Sequence, residues 1–324
     1  MINASLLKTL IREPNWADSA GEACLSVDVS GANYSSEEVQ AIGQWLRRQP
    51  VPVIGLLNTD NRLLDAVDFI AETGSEVERL ASLIDAHPQA SAVLVQVTRV
   101  TMSLPVIAAL TVESLGYATL QGGEEFSRWL SGLNKTKVGD SDISAPVLME
   151  RIGSELSILL NSPSNRNALS VSMRDGLSEA FSLVAMDDSI ERVVVSGAGS
   201  CFSAGGDLTE FGVSKDVAEA HRIRQLKMPA QYLAEHAGRY NFNLHGACIG
   251  AGIELPAFAG HVSASRDAFF RLPEVAMGLI PGAGGCVSIP RRIGRHRTNY
   301  LAITGMELSA EKALSWGLID ELAD

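Results

Sequence analysis

The sequence predicts an α/β protein made of two units that meet near Ala145. Three observations carry that reading. Its 324 residues exceed one average domain and suit two, at roughly 100–200 residues each. Short apolar runs of strand length alternate with longer stretches of helical periodicity. A polar stretch, Asn134 to Ser144, follows Leu130-Ser131-Gly132 and interrupts the alternation as a linker does. With 46% hydrophobic and 20% charged residues, each unit has enough apolar side chains to bury a core.

In the first unit, residues 1–145, strands are expected at Cys24–Val29 and Val51–Leu57, with a helix at Ser36–Arg48 between them. Ser36, Glu37 and Glu38 give that helix a capped acidic start, and Val39, Ile42 and Leu46 give it one apolar face. A helix over Glu76–Ala86, the run Ala92–Val97 and a segment from Ser103 to Leu130 complete this unit. The second unit, residues 146–324, opens with paired strands at Val147–Ile152 and Glu155–Leu160 and a turn at Ser162-Pro163-Ser164-Asn165. A helix over Ser170–Met186 precedes the apolar run Val193-Val194-Val195, a buried strand that enters the glycine-rich Gly197-Ala198-Gly199.

The balance of 26 basic against 38 acidic residues, −12 in all, argues against nucleic acid or anionic lipid as a partner. Any anionic ligand must therefore find a local basic pocket. The four cysteines lack the spacing of a zinc site or a disulfide framework, so no metal is expected. The longest apolar stretch, Ala90 to Leu110, is broken by Gln96 and Arg99, and a membrane span needs about 20 clean residues. Without the h-region of a signal peptide before Trp16, a cytoplasmic setting away from membranes is expected.

Three glycine-dense segments hold the candidate chemistry: Cys201 to Asp207, Gly246 to Glu254, and Leu272 to Gly285. Glycines let a backbone N–H approach a ligand closely and permit left-handed turns. In the second segment small residues run into a helical pattern of Ile253, Leu255, Pro256 and Phe258, so the N–H of Ala251 should lie in an unpaired first turn with Glu254 on the same face. Glu274 sits among Pro273, Val275 and Met277, where desolvation raises a carboxyl pKa. Taken singly, the second segment reads better as helix packing with a surface glutamate, and Glu274 of the third as a cap or salt bridge within a loop.

Together, and flanked by Asn165-Arg166-Asn167-Ala168-Leu169 and by Ala313 to Asp320, the segments resemble the crotonase (enoyl-CoA hydratase/isomerase) superfamily over about residues 147–324. The resemblance implies a spiral of ββα units in the second half, preceded by a smaller α/β domain. Leu104–Ala109 looks like the strand that precedes the family's second glycine loop, which makes the first unit a candidate degenerate crotonase-like half. Carried over motif by motif, the oxyanion hole falls on the N–H groups of Gly206 and Ala251, and the acid/base pair on Glu254 and Glu274, roles unassigned. Coenzyme A, bound as part of a thioester substrate and not as a prosthetic group, is expected over the first loop. There the resemblance places Asn167, Ala168, Phe202, Ala204, Gly205, Asp207 and Leu208, with the carbonyl of Ala204 facing the adenine.

The implied reaction is reversible hydration of a 2-enoyl-CoA, a lyase activity. Alternatives are isomerisation, thioester or C–C hydrolysis on the same enolate site, or an acyl-CoA-binding subunit that needs a partner chain. A homo-oligomer is expected, with a hetero-complex as the alternative. Family members continue past the motif at Gly317-Leu318-Ile319 with helices that complete the acyl pocket, so the first unit is expected to supply that wall. Asp207 reads as a helix N-cap, His245 as structural, and Arg291, Arg292, Arg295, His296 and Arg297 as a solvated helix face. A dinucleotide fingerprint is disfavoured, because Gly197 to Phe202 lacks a third glycine.

Overall fold

The computed structural model describes residues 1–12, 21–28, 34–56, 61–133, 145–214 and 216–323. The expected linker, Asn134 to Ser144, and the outer strand ends at Val29 and Leu57 lie outside the described residues. At the N-terminus Ala4–Leu10 (α1) precedes Leu25–Asp28 (β1), Ser36–Arg47 (α2), Val53–Leu56 (β2) and Phe69–Ala71 (β3). The three strands form a parallel sheet in that order. The cap of α2 is Ser35, one residue before the expected position, and it forms a reciprocal capping box with Glu38. Ile42, Trp45 and Leu46 of α2 pack with Leu7, Leu25, Val27 and Val53 in a core of their own.

Four helices follow: Gly74–Ala86 (α3), Pro88–Thr101 (α4), Val106–Gln121 (α5) and Glu124–Gly132 (α6). The expected strand at Leu104–Ala109 is instead the start of α5, with Pro105 at its N-cap. A short apolar run does not by itself separate a buried helix from a strand, and proline suits the first helical positions. The segment on which a duplicated half was read is therefore helical. Buried side chains of these helices, among them Leu80, Ile84, Leu94 and Leu110, join the same apolar core as Ile253, Val287 and Leu301 from the second half.

That half opens with Val147–Ile152 (β4) and Glu155–Leu160 (β5), then Val171–Met186 (α7), capped by Ser170, and Arg192–Gly197 (β6). Next come Val217–Lys227 (α8), Ala230–Glu235 (α9), Tyr240–Leu244 (β7), Ala247–Ile249 (β8) and the single turn Ala251–Glu254 (α10). His261–Ser265 (β9), Phe269–Arg271 (β10), Gly285–Ile293 (α11), Arg295–Thr304 (α12), Leu308–Ser309 (β11), Ala310–Trp316 (α13) and Glu321–Ala323 (β12) complete the described chain. From β7 to β10 successive strands alternate between two sheets. One has six strands, ordered β12-β9-β7-β6-β5-β4; the other has three, ordered β11-β10-β8. Thus β7 and β9 lie in the large sheet while β8 and β10, which follow them directly, lie in the small one, producing a spiral. Every pairing of the large sheet is parallel except β4 with β5. Leu156, Ile158, Val193, Val195 and Phe242 alternate inward along it, and Phe181 of α7 meets Tyr240 edge to face.

Asp68, fully buried beside β3, joins the three-stranded sheet to the second half. It accepts from the N–H of Val53, from Arg99 of α4 and, at 2.7 Å, from Arg295 of α12. The expected solvated basic face is corrected for Arg292, Arg295 and His296, which are half-buried, while Arg291 and Arg297 are exposed. Arg295 and His296 bond carbonyls of residues 64–67, Arg291 bonds those of Thr101 and Leu104, and Arg292 bonds those of Ala257 and Ala259 as well as Asp320. Their positive charge is spent on holding elements together. Among the described residues no helix is long and apolar enough to cross a membrane.

Candidate active site

After β6 the chain turns back so that Ser203 lies beside β8: its N–H donates to Ala247, and the N–H of Ile249 donates to its carbonyl. Gly205, at φ +89°, comes so close to the second loop that a Cβ there would stand 2.8 Å from the Ile249 carbonyl oxygen. This approach explains the glycine and brings Gly206 next to Ala251. Gly250, at φ +51°, turns the second loop into α10. Its carbonyl accepts from Ile253 and Glu254, which leaves the N–H of Ala251 at the head of the turn. Among the described residues neither Gly206 N–H nor Ala251 N–H has a protein acceptor. The helix expected to run through Phe258 is only this one turn, followed by a 3₁₀ turn at Pro256–Phe258, so its dipole adds little.

Both amides line one cavity of about 220 Å³ together with Glu254 and Glu274. The two carboxylates converge on Gly250: the point where its Cβ would stand is 2.5 Å from Glu274 Oε1 and 3.6 Å from Glu254 Oε1. Their surroundings differ. Glu254 Oε2 accepts from the N–H groups of Ala283 (2.7 Å) and Gly285 (2.9 Å), whereas Glu274 Oε2 is buried and has no partner among the described residues. Burial pushes the Glu254 carboxyl up to about 7, held back by its two amide donors. Burial, reinforced by the charge of Glu254, pushes Glu274 well above the usual carboxylate range.

The other expected site residues divide between the cavity and its scaffold. Asp207 lines the cavity, but its carboxylate accepts from Thr209 and Asn165, an Asx turn in place of the expected helix cap. Asn167 is buried, its amide donating to the carbonyls of Ala198, Cys201 and Phe202, so it ties the first loop to the turn before α7. Asn167 and Phe202 border a separate void of about 20 Å³ behind the loop. Ala168 and Gly205 are buried, Ala204 half-buried and Leu208 exposed, all four beside the cavity and not on its wall. His245 faces outward with its ring against the Gly199 carbonyl.

Several residues of the site had no signature in the sequence reading. Glu113 of α5 accepts from the N–H groups of Gly284 and Cys286, both at 2.8 Å, so Glu113 and Glu254 grip alternate amides of one loop. Burial and the charge of Glu254 push Glu113 well above its ordinary value. Tyr117 and Gln121, also of α5, and Arg224 of α8 line the cavity too, as do Arg174 and Glu210. The one available signal was a lone acidic residue, Glu113, inside the apolar run Val106 to Leu120.

The sequence profile of the family described as Enoyl-CoA hydratase/isomerase matches residues 152–323. The chain belongs to this family. It is 31% identical over 173 residues to the 2,3-dehydroadipyl-CoA hydratase of Escherichia coli (strain K12), covering 52% of this chain and 65% of that one. It is also 31% identical over 182 residues to the mitochondrial Delta(3,5)-Delta(2,4)-dienoyl-CoA isomerase of Rattus norvegicus, covering 52% and 55%. The chain thus spans less than two thirds of either relative. Among solved structures, an enoyl-CoA hydratase from Thermoplasma volcanium GSS1 superposes with a TM-score of 0.51 at 36% identity, over 56% of this chain and 73% of that one. The matched part is the spiral of the second half.

Proposed function

We propose that this member of the enoyl-CoA hydratase/isomerase family adds water reversibly to a 2-enoyl-CoA. The observation that carries the reading is the convergence of two carboxylates of unlike environment on Gly250, beside two amides that lack protein acceptors. In this reading the thioester oxygen accepts from Gly206 and Ala251. Water attacks Cβ as Glu254, the more acidic of the pair, takes its proton; the alkene electron pair moves toward the thioester and places negative charge on the oxygen held by the amides. Glu274, whose Oε2 is buried without a partner among the described residues, delivers its proton to Cα as the enolate collapses. Its proton is restored from the one Glu254 received, so one water is added net.

Loss of crotonyl-CoA ultraviolet absorbance tests the reading. Glu254→Gln and Glu274→Gln are each expected to lower kcat by about 10²–10⁴; turnover left intact by both exchanges would refute it. Double-bond isomerisation is the second reading, supported by the resemblance to a dienoyl-CoA isomerase and by Glu274, whose Oε2 has no partner among the described residues, a carboxyl suited to moving one proton between two carbons. Isomerase activity that survives Glu254→Gln and not Glu274→Gln would select it. In either case the first unit acts as a wall of the acyl site, through Tyr117 and Gln121.

A further inference from the structure

Arg224 differs from the other charged groups of the cavity. It reaches the wall from α8, half-buried, donating from Nε to Ser114 Oγ (3.1 Å), from Nη1 to Gln121 Oε1 (2.8 Å) and from Nη2 to the Ser114 carbonyl (3.4 Å). Its guanidinium stacks over the Tyr117 ring at 4.6 Å. Each of these partners is neutral. Among the described residues no carboxylate oxygen lies within 4.0 Å of it, whereas Arg99 and Arg295 share Asp68, and Arg151, Arg239 and Arg292 each meet an aspartate. A guanidinium has five N–H donors, so these three bonds leave others unspent.

We propose that Arg224, oriented by Ser114 and Gln121, forms a subsite for a carboxylate at the far end of the acyl group, so that the preferred substrates are coenzyme A half-thioesters of dicarboxylic acids. This rests on the acyl-CoA reading of the cavity. A cation held away from water without a counter-charge is unfavourable, and a planar fork with free N–H groups matches a carboxylate. Burial pulls Arg224 below the ordinary arginine value, and Tyr117 and Glu113 push back through space without touching it as ion-pair partners. A methyl-ended chain leaves the guanidinium desolvated and unpaired, whereas a carboxylate supplies what is missing. The chain as a whole carries −12, so a preference for an additional negative charge has no origin in its general field.

The test is calorimetric titration of the intact chain with saturated, non-reacting thioesters: adipyl-CoA and suberyl-CoA against hexanoyl-CoA and octanoyl-CoA. At least one dicarboxylic thioester is expected to bind about ten- to a hundredfold more tightly than its methyl-ended counterpart. Arg224→Met is expected to abolish that ratio. Equal or weaker binding of both dicarboxylic thioesters by the wild-type chain overturns the subsite, and so does a ratio that Arg224→Met retains. The wild-type comparison decides even where the variant does not fold. If none of the four thioesters binds, the acyl-CoA reading itself falls, a result distinct from equal binding.

Discussion

Glu254 and Glu274 show how two chemically identical side chains acquire different proton affinities from their neighbours. Two loop amides favour the Glu254 anion, whereas burial and the charge of Glu254 outweigh the single backbone donor of Glu274, whose Oε2 has no partner among the described residues. If Glu254 must be ionised to accept a proton, the acid limb of kcat/KM is expected to inflect near its value of about 7. A rate profile flat down to pH 5 would contradict that role. Stability carries a second signature. The folded chain keeps the Glu274 proton where the unfolded chain has already released it. The contribution of this group is therefore full below the ordinary carboxylate range and is lost as pH rises through the folded value. Glu274→Gln keeps the neutral shape, so its melting temperature is expected to exceed that of the wild type at pH 8.5 and to match it near pH 3.5, below the unfolded carboxyl's value. Each 1 kcal/mol is worth roughly 2–4 °C in a chain of this size; thermal melts at the two pH values read the gap. Both glutamates were legible in the sequence because each lies inside a short motif. Glu113 and Arg224 were not, because nothing local to them records which loop or cavity they meet.

At the scale of elements, the second loop works because Gly250 has no side chain. An alanine there would be strained at φ +51° and would drive its Cβ against Glu274 Oε1. Gly250→Ala is expected to lower kcat by about a hundredfold, the size of effect that a shift near 1 Å produces at a reacting centre. Steady-state kinetics alongside circular dichroism separate this from unfolding, and wild-type kcat in the variant would show that the loop tolerates the methyl. Helix α5 teaches the reverse lesson. Its opening, Leu104 to Ala109, is apolar on every side, yet Ile107 and Ala108 are exposed on the helix, so the run does not record which face is buried. Strand β6 was legible as an apolar run entering a glycine-rich loop, β4 and β5 as a strand pair before a turn, and α2 through its acidic first turn.

Across the whole molecule, Asp68 is the buried charge on which the two halves meet. Removing it leaves Arg99 and Arg295 without their anion, so Asp68→Ala is expected to lose about 3–5 kcal/mol in urea unfolding. A loss under 1 kcal/mol would show that the arginines re-pair elsewhere. The basic cluster from Arg291 to Arg297 was visible in the sequence, but not its targets, which are backbone carbonyls and two aspartates, Asp68 and Asp320.

The clasp on Gly284 links atoms 171 positions apart. A contact that distant closes late when a chain folds, because the intervening loop must first surrender its freedom. During renaturation, catalytic competence should therefore trail the recovery of helical ellipticity.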